Sequence, residues 1–488
     1  MSAIDLVIIA AYLAAVVLAG AWFGRRQQTT SRYFLAGGNV PWWAISASIV
    51  ATETSTITFI SVPGIAYARN GNFTFLQLVF GYLCGRVVIC LLFMPAYFRG
   101  DLVTVYELLQ HRFGARVKAL AATLFLTMRT IADGVRLLLT AIVLGAVYRA
   151  FQASADISTA IQVSIVALGI VMIVFTFQGG MEAVVWIEVV QLFIYIAGAI
   201  GAAVVLIQKI PGGLETAIAL GRQHDKFRVF DFSFVLDRPF VFWAGVIGGC
   251  FLTMSTHGTD QYLVQRYLCT SSARKASIAL LASGAVVLAQ FIGFLFIGVL
   301  LFAFYKGAPF AGSDQVFPDF ITRHLPTGLA GLVIAAIFAA AMSSSLNSIA
   351  ATFVADLYKP MVRGREDRHY LSVSRVATVV AGIAQIAVGL AMLDQRRSAL
   401  DAALAVASLI NGPILGVFLL GAIRRGTPRS ALVGMTAGIA AVTAVWLGTK
   451  VAYPWYAVIG ALTTVAAGAF VTTTPTPAPA RPAPGTPT

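Results

Sequence analysis

Apolar runs of about twenty residues, each long enough to cross the hydrocarbon core of a bilayer, recur along nearly the whole chain. Of its 488 residues, 59% are hydrophobic and 11% charged, a balance that soluble globular domains do not keep. The chain therefore reads as an all-α polytopic membrane protein. About thirteen spans are predicted, at 4–23, 42–67, 74–98, 119–148, 159–177, 184–207, 240–258, 277–305, 326–355, 372–393, 399–422, 429–449 and 452–472. Pro41, Pro211, Pro326, Pro360 and Pro428 fall near proposed ends, where proline disturbs a helix least. The first run lacks a basic leader and is followed by Arg25 and Arg26, so it reads as a retained helix.

The net charge of +14 does not point to nucleic acid, because the Lys and Arg sit mostly in short loops between spans. Basic short loops mark the cytoplasmic side. Arg25, Arg26, Arg32, Arg112, Arg116, Lys118, Arg266, Arg274, Lys275, Arg363, Arg365, Arg424 and Arg429 fall on one side if the N-terminus is outside. The C-terminus is then cytoplasmic, in the inner (plasma) membrane of a bacterium-like cell. Residues 473–488, rich in Pro, Thr and Ala, are expected to form a disordered tail after a transporter domain at 1–472. Cys84, Cys90, Cys250 and Cys269 form no CxxC pair and read as reduced thiols. The segments 99–118 and 260–268 read as short amphipathic helices at the inner interface.

The second span carries the most informative stretch, Ala44 to Gly64, whose centre is Thr52-Glu53-Thr54-Ser55. A carboxylate at membrane depth is retained mainly where it faces a cavity or an ion path. Thr and Ser beside it compete for backbone partners, and a broken helix exposes carbonyls to a cation. The alternative is a structural carboxylate paired with a buried arginine. The seventh span is interrupted by Thr253-Met-Ser-Thr-His-Gly-Thr-Asp260. The two breaks stand five spans apart, which predicts two inverted five-helix repeats, at about 40–207 and 240–422, with one extra span before and two after. His257 and Thr256 lie in the second break, and Asp260 is expected to cap or pair locally, for instance with Arg266.

Span nine holds Ser343-Ser-Ser-Leu-Asn-Ser348, which offers either hydroxyl ligands for a small cation or a small-residue packing seam. Arg129, Asp133 and Arg136 share one helix face and predict an ion-pair network. Glu188 reads as a way-station for a cation or as an interfacial charge, and Asp356 as interfacial. Asn411-Gly-Pro413 predicts a kink. No Walker A, HExxH, GxSxG or kinase pattern is present, so nothing points to an enzyme or to a cofactor.

Taken in order, Gly37-Gly-Asn-Val-Pro-Trp-Trp43, Ala47-Ser-Ile-Val-Ala-Thr-Glu-Thr-Ser55, Gly179-Gly-Met-Glu-Ala-Val-Val-Trp-Ile-Glu-Val-Val-Gln191, Gly258-Thr-Asp-Gln-Tyr-Leu-Val-Gln-Arg266 and Ala339-Ala-Ala-Met-Ser-Ser344 resemble the sodium:solute symporter family. The resemblance covers about 33–421. It implies a LeuT-like five-plus-five fold, alternating access and a sodium ion held by the carbonyls of Ala51 and Thr54 and the hydroxyls of Ser343 and Ser344. It also implies that Glu53 stands where sodium/proline carriers have aspartate and sugar carriers asparagine, and that Glu188 lies on the ion exit path. Thr256 replaces the aromatic gate of sugar carriers. In span nine the spacing is shorter than in relatives, so Met342 and Asp356 cannot both keep their usual register unless the helix bulges or its inner end shifts.

The expectation is thus a sodium-coupled symporter importing a small organic solute bound near Glu53, Thr52, Ser55, Thr58, Thr253, Thr256 and His257. Its partners are that solute, sodium and the lipid bilayer, with no nucleic acid and no obligatory protein partner. Two alternatives keep the fold: a proton symporter using Glu53, and a membrane solute sensor, which an appended signalling domain would favour and the sequence does not show.

Overall fold

The computed structural model describes residues 3–24, 28–54, 56–100, 102–151, 156–310, 312–342, 345–393, 396–423 and 426–471. All regular structure among them is helical. The first expected span is α1 (Ala3–Gly24). The second is two helices, α2 (Trp42–Glu53) and α3 (Thr56–Tyr67), with the chain turning aside at Thr54 (φ −80°, ψ 77°). The short helix Thr30–Leu35 runs into α2 with a bend of 110°. There follow α4 (Leu76–Leu92) and α5 (Ala115–Phe151).

Spans five and six form one continuous element, α6 (Ile157–Lys209), of 53 residues. At 1.5 Å per residue a straight helix of that length is about 80 Å, far beyond a bilayer. Gly180 divides it with a left-handed φ of 58° and a ψ of −158°. A Cβ there would meet the Tyr33 carbonyl at 2.8 Å, so the position needs glycine on both counts. The division of 159–177 from 184–207 survives as this hinge.

Span seven differs from expectation. It begins as a π-helical turn at Ala244–Gly248 and continues without interruption through α7 (Gly249–Gly258). The break lies at Thr259 and Asp260, the far edge of the expected stretch, where the Asp260 carboxylate caps α8 (Gln261–Leu268) by accepting from Tyr262 N at 2.8 Å. Every residue of α8 is buried, so it is an interior helix and not an interfacial one. Its charged side chain, Arg266, is ion-paired with Glu188 in the core, which removes the cost that would send it to water. Beyond it lie α9 (Ala273–Tyr305), α10 (Leu329–Met342), α11 (Leu346–Thr352), α12 (Asp367–Ala391), α13 (Arg396–Ile423), α14 (Pro428–Gly448) and α15 (Pro454–Phe470). Span nine is described on either side of residues 343 and 344, which lie outside the described residues, and it winds as a π turn over Phe353–Tyr358. A single straight register across it does not hold.

Six described helices are long and apolar enough to cross a membrane unbroken, and seven if the pair bent at 110° counts as one. Among the described residues each expected segment is mainly helical, but they do not form thirteen separate unbroken spans: span two is broken, span seven begins in a π-helical turn, spans five and six are joined, and α5 is long but carries Arg129, Asp133 and Arg136. The tail at 473–488 lies outside the described residues.

Close helix approach builds the centre. Gly81 and Gly85, four apart on α4, face span seven, where a Cβ on Gly81 would sit 2.3 Å from the Gly245 carbonyl oxygen and one on Gly85 2.7 Å from that of Cys250. Small residues four apart let two backbones touch. α9 runs beside the broken pair: Val40 N donates to Cys269 O at 3.0 Å at one end, and Tyr67 packs on Phe302 and Tyr305 at the other. At that second end Lys226, buried, donates to the carbonyls of Tyr67 (3.3 Å) and Ala68 (2.5 Å) and so closes the C-terminus of α3. Residues 99–118 contribute a short helix, Glu107–Phe113. Asp356 is buried, accepting from Thr104 Oγ1 at 2.8 Å with Lys118 at 3.7 Å, and is not interfacial.

Candidate functional site

The site is organised by the end of α2. A helix that stops leaves the carbonyls of its last turn without helical donors. Here Val50 O takes both Thr54 N (2.9 Å) and Thr54 Oγ1 (2.7 Å), and Thr54 Oγ1 also meets Gln290 Oε1 of α9 at 3.0 Å. Ala51 and Thr54 are buried at this break. Ser55, Ser343 and Ser344, also singled out by the sequence, lie outside the described residues.

Three charged clusters surround the break. On one side Glu53 bonds Arg86 of α4 and, at 2.7 Å, His257 Nε2 of α7, both through the same oxygen, Oε1. A carboxylate only accepts, so Nε2 carries the imidazole proton; Nδ1 meets Thr256 Oγ1 at 2.9 Å. The pairing with a buried arginine, weighed from sequence as the structural alternative, is present. Arg86 is wholly buried, and Gly284 of α9 makes room for it: a Cβ there would stand 2.9 Å from Arg86 Cδ.

On the opposite face of α2, Glu188 of α6 binds Arg266 of α8 with Nη2 at 2.5 Å and Nε at 3.2 Å. Ser48 donates to Glu188, Thr52 Oγ1 lies 3.1 Å from its Oε1, and Arg266 Nε meets Ser48 Oγ at 3.0 Å. Thr52 therefore belongs with Glu188, on the other side of α2 from Glu53. Glu188 is 1% exposed, which removes the interfacial reading.

In the third cluster Arg129 holds Asp133 at 3.0 Å, Arg136 approaches the same carboxylate at 3.7 Å, and Arg129 reaches Asp260 at 3.7 Å. Asp260 thus caps locally as expected but pairs with Arg129 and not with Arg266. Ser345, at the start of α11, donates to Asp133. The Tyr262 ring lies between the second and third clusters, with the Arg129 guanidinium 3.9 Å and the Arg266 guanidinium 4.6 Å from its centroid. Gln265 ties α8 to α11 through Asn347 and Ser348, each at 2.6 Å.

A crevice of about 430 Å³ reaches down to Glu53 and His257. Thr58 and Ser61 of α3 and Thr253 and Thr256 of α7 line it, so four of the expected solute residues, with Glu53, share one cavity: Thr58, Thr253, Thr256 and His257. Sequence reasoning missed Arg86 as the partner of Glu53 and Arg266 as that of Glu188. The signal for Arg86 was available, since it is itself an ionisable residue inside an apolar span.

Comparison with known proteins gives a consistent picture. The model of the sodium:solute symporter family matches residues 33–438. A sodium/sialic acid symporter of Aliivibrio fischeri is 32% identical over 471 residues, covering 94% of this chain and 90% of that protein. The human sodium/iodide cotransporter is 28% identical, covering 89% of this chain and 68% of its own length. A sodium-coupled sialic acid symporter solved substrate-bound in an outward-open state superposes with a TM-score of 0.85 at 30% identity, covering 96% of this chain and 97% of that one. A transporter of the nucleobase-cation-symport-1 family, in a closed conformation, shares the fold at a TM-score of 0.56 and 15% identity.

Proposed function

The chain belongs to the sodium:solute symporter family, and from that premise we propose that it imports a small organic solute by alternating access, driven by the inward sodium gradient. As in its relatives, which are transporters and not enzymes, sodium is the coupling ion. The observation that carries the reading is the end of α2 at Glu53: it places the buried Ala51 and Thr54 beside a crevice that holds a carboxylate, an imidazole and hydroxyls. Main-chain carbonyls at a helix break suit sodium, and convergent polar groups in a mostly apolar crevice suit an organic solute.

We assign sodium to the carbonyls of Ala51 and Thr54 with the hydroxyls of Ser343 and Ser344. The solute falls to Glu53, Thr58, Thr253, Thr256 and His257, with Thr52 and Ser55 flanking the break. Glu188 is the ion's exit step, reached when Arg266 yields one of its bonds. The core repeats are 40–207 and 240–422, the N-terminus faces outward, and the protein resides in the inner membrane. Sodium bound at the break ties α2 to span nine and thereby fixes the solute's wall, which is the differential interaction that coupling needs.

Proteoliposomes loaded with a solute panel test this. Uptake driven by sodium alone, at equal pH on both sides, is the expected result; uptake indifferent to sodium removes the proposal. One observation favours a second reading, proton coupling: the 2.7 Å contact between His257 Nε2 and Glu53 Oε1 is a route for a proton. Uptake driven by a pH gradient without sodium would select it.

A further inference from the structure

The walls of the crevice say more about the solute than its floor does. Phe75, Tyr82, Phe240, Phe291 and Tyr453 line it, and among the described residues neither Lys nor Arg does. Three of these rings form one surface: Phe75 stands edge-on to Phe240, with centroids 5.1 Å apart at 62°, and 5.1 Å from Phe291. Tyr453 stands 39% exposed. At the floor, Glu53 spends Oε1 on both Arg86 and His257, while Oε2 has no hydrogen-bond partner among the described residues. The nearest guanidinium, Arg86, is wholly buried and bound to that carboxylate.

We propose that this crevice selects a compact solute carrying a protonated amine on an apolar body, and rejects carboxylates such as the sialic acid named for two of the relatives above. The proposal rests on the transport reading and narrows it. An ammonium group finds what it needs: an acceptor at Glu53 Oε2, for a charge-assisted hydrogen bond, and aromatic faces whose negative quadrupole attracts a cation. An organic acid finds the opposite. Its carboxylate enters beside Oε2 and meets no free cation in the lining. The aliphatic body of either solute is equally welcome against the five rings, so the charge of the polar head decides.

Three matched probes separate these cases: cyclohexylamine, cyclohexanol and cyclohexanecarboxylate, with sialic acid as a fourth. Binding to the purified full-length protein is measured by calorimetry, and melting temperature is recorded in sodium and in potassium chloride. Cyclohexylamine is expected to bind about ten-fold or more tightly than the alcohol or the acid. Glu53→Gln should shrink that preference to about three-fold or less. Should Glu53→Gln fail to fold with Arg86 left unpaired, Tyr453→Leu at the mouth decides: it removes one ring and should weaken the amine about three-fold or more, with little effect on the alcohol. Tighter binding of the acid or of sialic acid, equal binding of all probes, or binding of none overturns the proposal. The sodium-specific rise in melting temperature is read separately. If it persists while amine preference is absent, the solute class is wrong and sodium coupling stands; if it too is absent, the transport reading falls with it.

Discussion

At the scale of single residues, the interior is built from charges that answer one another. Glu53 is held by Arg86 and His257, so removing its charge frees a buried guanidinium as well as a solute acceptor. Glu53→Gln is expected to abolish coupled uptake and Glu53→Asp to keep a weakened activity; normal, sodium-dependent uptake by Glu53→Gln would make the residue purely structural. The sodium assignment has its own test. The double variant Ser343→Ala, Ser344→Ala, shown to be folded and inserted, should need about thirty-fold more sodium or more for half-maximal uptake, since each of the two lost oxygen ligands costs on the order of 1 kcal/mol or more. An unchanged sodium response would place the ion elsewhere. The sequence exposed Glu53, Glu188 and the Arg129–Asp133–Arg136 face, because ionisable groups stand out in apolar spans. It did not expose who pairs with whom across helices. Arg86 and Glu53 are 33 positions apart and Arg266 and Glu188 78, and spacing along one helix carries no information about another.

At the scale of elements, the break in span two was legible because Thr52, Thr54 and Ser55 disfavour a helix locally. The break after α7 was displaced to Thr259–Asp260 because Ser255, Thr256 and Thr259 return their hydroxyls to helical carbonyls and the helix accepts them; Thr256 Oγ1, for instance, meets Leu252 O at 2.9 Å. The burial of α8 was not legible: its polar pattern suits an interface equally well until its partners are known. The seam between α4 and span seven was written in Gly81-Tyr-Leu-Cys-Gly85 and makes a sharp prediction. Gly81→Val puts a side chain against the Gly245 backbone, which cannot retreat as a side-chain tip can. A loss of about 1–3 kcal/mol in stability is expected, seen as a large fall in melting temperature. Val87→Ala, on the 47%-exposed side of the same helix, should change it little.

At the scale of the whole molecule, orientation is checked by thiol labelling in a cysteine-free background. Arg69→Cys should react from outside and Arg363→Cys only after permeabilisation; both positions are exposed. The reverse pattern would invert the scheme. The paired clusters have a further, electrical consequence. Around the breaks, the carboxylates Glu53, Asp133, Glu188 and Asp260 face the guanidiniums Arg86, Arg129, Arg136 and Arg266, four against four. In the proposed transport cycle, an empty carrier balanced in this way has almost no net charge to move on its return, and the voltage across the membrane does almost no work on that step. A bound sodium ion is surplus to that balance. The potential, worth about 2.3 kcal/mol per charge at 100 mV, acts on the loaded stroke alone. An inside-negative voltage should thus accelerate inward delivery without slowing reset, and transient currents should vanish when sodium is withheld.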